Sequence, residues 1–178
     1  MNNVLIVIDM INDFMDSDGA LFVGDHSLKI VPEIRKLVKL EHLNERPVVF
    51  VKDSHTPNDK EFARFPKHAL ALSWGARIIK GIDYNLENDL TIYKNRYNAF
   101  FGTNLETNLN SLDVSPEKTT VTVVGVCTDI CVMDTVGWLA NMDYNIVVPE
   151  NCVASFDAEG HKYALKRMKT LYGVKINE

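Results

Sequence analysis

The sequence predicts an α/β protein: a three-layer α/β/α sandwich with a mainly parallel sheet in the middle. Three observations carry this. The strand-like segments are near-continuous apolar, β-branched runs, the pattern of strands buried on both faces. They alternate along the chain with amphipathic helical segments, which demands crossover connections. Reactive residues stand immediately after several strand ends, where open parallel sheets place their ligands.

Residues 4–8, Val-Leu-Ile-Val-Ile, form the first such run, which ends at Asp9. A polar loop containing Asp and Gly continues to His26. Residues 28–46 read as a helix, with Ile30, Val31, Ile34, Leu37 and Val38 on one face and Pro32 in the first turn, where proline is tolerated. The second strand spans 47–51 and ends at Lys52-Asp53. Residues 54–88 show only weak periodicity, and segments of that length without regular structure are usually functional. A short third strand over 90–93 ends at Lys94, and Thr103 is placed to cap a short helix reaching Leu112.

Residues 119–124, Thr-Thr-Val-Thr-Val-Val, are the fourth strand, punctuated by Gly125. Thr128 or Asp129 can cap the helix expected over 130–142, which puts Cys131 in its first turn. There a helix dipole and free backbone N–H groups would favour a thiolate and could hold an oxyanion. The other reading of this stretch is a pair of small buried cysteines beside a core strand. A fifth strand over 145–148, a helix over 157–171 ended by Gly173, and a last short strand over 174–176 complete the chain.

At 178 residues, the chain is expected to form one domain, 1–178, with a sizeable core. A net charge of -5 with no basic block argues against a nucleic-acid partner. No apolar run reaches the length of a membrane span, and Met-Asn-Asn leads into a strand without a charged segment. Three cysteines, Cys127, Cys131 and Cys152, follow no disulfide-framework spacing and suit free thiols in a reducing compartment. The expected location is cytoplasmic.

Asp9, Asp53, Lys94 and the 127–131 turn each follow a different strand, so the parallel sheet brings them to one rim. Asp9 follows a strand too apolar for a casual carboxylate and could act as general base to a thiol. A cation at Lys94 would keep that carboxylate and a Cys131 thiolate ionised. A second set, Asp53, His55, Glu61 and His68, offers two imidazoles and one or two carboxylates, donors suited to zinc, manganese or iron. Phe14, Phe65, Phe100 and Phe101 could stack on a flat ring; each could equally be a core or loop anchor.

Four ordered motifs resemble the isochorismatase-like cysteine hydrolases. They are Asp9-Met-Ile-Asn-Asp-Phe14, Asp53-Ser-His55, Tyr93-Lys94-x-x-Tyr-x-Ala-Phe-x-Gly102-Thr103 and Gly125-Val-Cys-Thr-Asp-Ile-Cys131-Val. The resemblance spans almost the whole chain and implies the Rossmann-like sheet of that family. It implies a catalytic triad of Asp9, Lys94 and Cys131, oxyanion-hole amides at Cys127 and Cys131, and a cis peptide between Val126 and Cys127. Isochorismatases proper lack the nucleophilic cysteine, and several carbamoyl-amide hydrolases lack the metal ligands. Nicotinamidases keep both, and their metal ligands match Asp53, His55 and His68, with Glu61 matching a fourth ligand present in some. Phe14 and Phe65 match ring-contacting positions. The chain departs from the branch at Phe65, where several members carry tryptophan, and after His68, where Ala69-Leu70-Ala71-Leu72 replaces a commoner Cys-Val pair.

The reaction implied is hydrolysis of nicotinamide to nicotinate and ammonia through a thioester on Cys131, with one divalent ion, zinc ahead of manganese or iron, as cofactor. It would belong to NAD salvage. The partner implied is a small amide, with no nucleic acid or membrane, and a homo-oligomer is a family-level expectation. The competing readings are hydrolysis of another small amide by the same triad, attack by an ion-bound water with Cys131 structural, and a non-catalytic metal- or ligand-binding protein on this fold.

Overall fold

The computed structural model describes residues 2–177. The strands are β1 (Asn2–Ile8), β2 (Val48–Asp53), β3 (Leu90–Lys94), β4 (Thr119–Val126), β5 (Asn145–Pro149), β6 (Val153–Ala154) and β7 (Lys175–Asn177). They form a seven-stranded sheet in the order β3-β2-β1-β4-β5-β7, with β6 pairing alongside the end of β4. Every pairing between these strands is parallel. β1, the most apolar run, therefore lies near the centre, and its neighbours β2 and β4 carry their own apolar runs. The two-residue strand β6 is too short to show a periodicity in the sequence.

The helices are α1 (Asn12–Met15), α2 (Ile30–Leu43), α3 (Leu105–Ser111), α4 (Met133–Asn141) and α5 (Ala158–Leu171). Alternate residues of the strands face opposite cores. Val4, Ile6 and Ile8 of β1 pack with Leu105 and Leu109 of α3, Val136 and Leu139 of α4, and Ala164, Leu165 and Met168 of α5. Leu5 and Val7 pack on the other side with Ile30, Ile34 and Val38 of α2. These two cores sandwich the sheet, and a side chain at a strand's carboxyl end is left at the rim between them.

Several helix boundaries differ from expectation. The helix expected over 28–46 begins as a 3-10 turn, Asp25–Lys29, and becomes α2 at Ile30, which keeps Pro32 in the first α-helical turn. The N-cap of α3 is Asn104, but the expected capping contact comes from Thr103: its hydroxyl oxygen accepts the Leu105 amide at 3.3 Å while donating to the Ala99 carbonyl at 2.6 Å. The helix expected from Ile130 opens as a π-helical turn, Thr128–Val132, before α4. Neither Thr128 nor Asp129 caps it, because their side chains are engaged elsewhere: Thr128 Oγ1 lies 2.8 Å from His161 Nδ1, and Asp129 accepts from Ser155 Oγ. Asp157 does cap α5, accepting from the Glu159 and Gly160 amides.

No helix among the described residues is long and apolar enough to cross a membrane.

Candidate active site

The register of the sheet assembles one half of the site. Pairing of β2 with β3 sets Asp53 directly beside Lys94. The chain leaves β1 at Asp9, whose backbone sits at a φ of 53°, a left-handed conformation that Asp tolerates better than most residues. The Asp9 carboxylate accepts from the Asp53 amide at 2.8 Å, which locks the ends of β1 and β2 together. On the other side of β1, Gly125 pairs with Ile8 at a φ of 114°. A Cβ there would sit 2.0 Å from the Ile8 carbonyl oxygen, so only glycine lets β4 pass this close before it turns. The Val126–Cys127 peptide that follows is cis, as the family resemblance implies.

Lys94 Nζ is the hub of this half. It lies 2.7 Å from Asp9 Oδ2, 2.5 Å from Asp53 Oδ1 and 3.5 Å from Cys131 Sγ. All four side chains are buried. Burial favours the uncharged amine, but Asp53 and Asp9 overcome it and hold Lys94 protonated, well above the usual lysine range. Burial and the neighbouring Asp53 charge push Asp9 up to about 6, against the pull of Lys94. Burial also drives the Cys131 thiol well above its usual value, with Lys94 opposing. This corrects the expectation of a resting thiolate. Cys131 lies inside the sandwich rather than in the first turn of an exposed α-helix, and desolvation outweighs the single cation. The resting pair is thus a protonated sulfur beside a carboxylate whose proton affinity has been raised to meet it.

The other half comes from the 54–88 segment, and long-range hydrogen bonds shape it. His55 pairs with Leu70 in an isolated parallel bridge, through His55 N to Ala69 O and Ala71 N to His55 O, each 2.9 Å. The buried Asp13 carboxylate accepts from the Ala69 amide at 2.6 Å and the Ala20 amide at 3.0 Å. These contacts bring His68 back onto His55, with ring centroids 4.9 Å apart. Asp53, His55 and His68 then form a group whose donor atoms lie within 4.8 Å of one another. His55 Nε2 is 3.5 Å and His68 Nε2 4.0 Å from Asp53 Oδ2, and Glu61 Oε1 is 3.9 Å from His68 Nε2.

These donors fit a divalent cation. His55 Nε2 and Glu61 Oε2 are buried without a hydrogen-bond partner, and an orphaned polar atom in the interior is costly unless something else satisfies it. Each imidazole has its Nδ1 engaged outside the cluster, His55 with Asp59 at 3.1 Å and His68 with the Pro66 carbonyl at 2.8 Å, so both turn Nε2 inward. Burial and the Asp53 charge raise Glu61. Burial opposes the charge on His55, but the Asp53 carboxylate 3.5 Å from its Nε2 raises it on balance. Packing like charges and unsatisfied atoms together suits a site completed by a positive ion.

Residues of both halves line one pocket. Asp9, Cys127 and Cys131 stand on one wall and Asp53, Glu61 and His68 on another, with Phe14, Phe65, Tyr97, Ile130 and Phe156 among the rest. Phe14 packs on the His68 ring at 5.4 Å and Phe65 meets it edge-on at 6.2 Å. Phe100 is a correction. It does not line the pocket: it is buried in the core beneath α4, stacked on Trp138 at 6.4 Å. Phe101 is largely exposed. Tyr97, whose hydroxyl accepts from Arg64, takes the aromatic position on the β3 side.

Sequence reasoning also missed Asp59, Asp13, Phe156 and Phe62, the last packed edge-on against both imidazoles. The one available signal was the four-residue spacing of His55 and Asp59.

Comparison with known proteins gives a consistent picture. The isochorismatase domain model matches residues 3–177. The PncA protein of Bacillus subtilis (strain 168), carried there as an uncharacterized isochorismatase family protein, is 35% identical over 187 residues, covering 100% of both chains. A solved structure of nicotinamidase/pyrazinamidase PncA from Bacillus subtilis superposes with a TM-score of 0.92 over 100% of both chains at 34% identity. The pyrazinamidase of Pyrococcus horikoshii in complex with zinc reaches a TM-score of 0.91 at 27% identity, covering 100% of this chain and 99% of that one. A protein of Arabidopsis thaliana named as a probable inactive nicotinamidase is 31% identical, covering 98% of this chain and 91% of its own.

Proposed function

This chain belongs to the isochorismatase domain family, and from that premise we propose that it is a nicotinamidase, an amidohydrolase that converts nicotinamide to nicotinate and ammonia. The observation that carries the proposal is the position of Lys94. Its ammonium touches both Asp9 and Cys131, which line a pocket that Asp53, Glu61 and His68 also line, with His55 grouped behind them. A binding protein has no use for a buried thiol with its own proton acceptor. An amidase does.

In the proposed cycle the carboxamide enters beside Cys131 with its ring between Phe14 and Phe65. Asp9 takes the Cys131 proton as the sulfur attacks the carboxamide carbon, and Lys94 holds the resulting charges together. The developing oxyanion is directed to the Cys127 and Cys131 amides, a role in which one lost donor typically costs about 10²–10³ in rate. Asp9 then hands its proton to the departing ammonia, leaving a thioester on Cys131. A water that gives its proton to Asp9 attacks the thioester, Asp9 returns that proton to the departing sulfur to re-form the thiol, and the acid product leaves and ionises to nicotinate. Asp9 serves as base and then acid in each half of the cycle, which suits a carboxyl pushed up to about 6. Asp53, His55, His68 and Glu61 would hold the divalent ion, zinc for preference, and when bound it supplies a Lewis-acid contact for a ring nitrogen. Fixing the ring would place the carboxamide over the sulfur.

The test is ammonia release from nicotinamide, pyrazinamide, small carbamoyl amides and isochorismate under one set of conditions. Preference for the two heteroaromatic amides is the expected result. Turnover confined to carbamoyl amides would move the chain to another branch of the family. No ammonia from any of them would restore the reading of a non-catalytic ligand-binding protein.

A further inference from the structure

We infer that Asp59 is a positioning residue for the metal centre, acting on two of its four donors at once. This inference rests on the metal reading above and adds a residue to it. Asp59 has no atom in the Asp53-His55-His68 group; it lies close to the potential donors of His55 and Glu61, but it meets the His55 ring at Nδ1 and so faces that group from behind. One oxygen, Oδ2, lies 3.1 Å from His55 Nδ1. The other, Oδ1, accepts the Glu61 backbone amide at 2.9 Å and so caps the 3-10 turn Lys60–Ala63 on which Glu61 rides. Arg96 Nη1 reaches both oxygens, at 3.0 and 3.1 Å, and fixes the plane of the carboxylate. The side chain is only 5% exposed, so water does not replace these partners freely.

The consequence is a choice of tautomer. A carboxylate only accepts hydrogen bonds, so the ring atom facing it, His55 Nδ1, must carry the hydrogen. The lone pair is then left on Nε2, which is buried without a hydrogen-bond partner and stands 3.5 Å from Asp53 Oδ2, a fellow donor of the group. His68 reaches the same state through the Pro66 carbonyl, a backbone group that no substitution at position 66 removes. His55 depends on a side chain. The two imidazoles are therefore unequal: one ligand is set by the main chain and the other by Asp59. Partners of this kind typically contribute about 10–100-fold to metal affinity.

Asp59→Asn separates the two duties. One amide oxygen can keep the Glu61 cap, but the NH2 group then faces His55 Nδ1 and can only donate. The ring is pushed toward carrying its hydrogen on Nε2, where it cannot bind metal. Zinc affinity of the whole chain, measured by competition with a chromophoric chelator, is expected to fall about 10–100-fold in Asp59→Asn, with unchanged far-ultraviolet circular dichroism. Equal zinc affinity in the wild type and the variant overturns the role of Asp59 and leaves the metal reading intact. A wild type that binds no zinc overturns both. The wild type also offers a test free of any folding defect in the variant. Long-range nitrogen–proton correlation spectra of the metal-free protein, recorded at a pH where the ring is neutral, should show His55 with its hydrogen on Nδ1, and the opposite tautomer overturns the proposal.

Discussion

The two walls of the pocket are built by different means. The Asp9, Lys94 and Cys131 wall is a product of strand register: pairing of β1, β2, β3 and β4 fixes where three strand ends finish, and the side chains follow. The His55, Glu61 and His68 wall belongs to a long segment with little regular structure, held by side-chain-to-backbone bonds such as Asp13 to Ala69 across 56 positions. One wall inherits the rigidity of the core; the other has to be tied in place residue by residue. They meet at Asp53, whose Oδ1 faces Lys94 and whose Oδ2 faces both imidazoles. The division suggests that the sheet-built wall performs the chemistry and the loop-built wall sets substrate position. It can be broken from either side.

The largest effect is expected at Cys131. Cys131→Ala removes the proposed nucleophile, and turnover should fall by about 10⁴-fold or more, with ring binding retained. Mass spectrometry of the wild type quenched during turnover should find an acyl adduct on Cys131. Substantial hydrolysis by Cys131→Ala would move the nucleophile to the other wall.

Lys94→Met comes next. Deleting the ammonium leaves Asp9 and Asp53 facing each other in a buried site, and breaking a buried pair from one side costs about 3–5 kcal/mol of stability. Both Asp9 and Cys131 lose the neighbour that favours their charged forms, so both shift further upward and titrate as a coupled set. Turnover should drop by about 10²–10³-fold, as for removal of one electrostatic support of a reacting charge. Alkylation of Cys131 by iodoacetamide should slow at neutral pH. Superimposable alkylation–pH profiles for the wild type and Lys94→Met would contradict the 3.5 Å contact.

On the loop-built wall the expected signature changes from kcat to KM. His55→Ala, or stripping the protein with a chelator, should raise KM for nicotinamide by about 10–100-fold and leave the fold in place, because the two cores do not involve the ion. Thermal melting and substrate titration together test this. A loss of kcat at unchanged KM would mean the donors act in the chemical step, and the division of labour between the walls would fail.

The same contrast decides what could be read from the sequence. Asp9, Asp53, Lys94 and the 127–131 turn were legible because strand ends in a parallel sheet converge by a general rule, and the apolar runs before them are unmistakable. His55 and His68 were legible only as donor types within a family motif. What brings them together is Asp13 and the His55–Leu70 bridge, and contacts of that range leave no periodic trace. Asp59 was missed for the same reason: its role lies in where its carboxylate points. The π-helical turn was misread because side chains that resemble helix caps, Thr128 and Asp129, bond instead to His161 and Ser155 on later segments. Nor does burial of Cys131 show in local sequence: the helix start that favours a thiolate is legible there, and the desolvation that opposes it is not.

Phe100 supplies the smallest effect and the sharpest discrimination. The motif around Lys94 made it a candidate for stacking on the substrate ring, but it packs in the core, with Trp138 as its stacking partner. Position along a motif cannot distinguish neighbouring residues once the chain leaves a strand. The segment after Lys94 folds back on itself, with the Ala99 amide bonded to Thr135 Oγ1 and the Phe100 amide to Asn98 Oδ1, and this turns Phe100 inward while Phe101 faces out. Phe100→Leu keeps most of the buried apolar volume but loses the aromatic stack, a change of about 1–2 kcal/mol. The melting temperature should fall accordingly, whereas KM and kcat for nicotinamide should stay within about twofold, since no reacting or ring-contacting group moves. Phe14→Leu, on the pocket wall, should show the reverse: little change in melting and a raised KM. If Phe100→Leu raised KM as Phe14→Leu does, the ring would have to reach the core side of α4, and the boundary drawn here between pocket and core would be wrong.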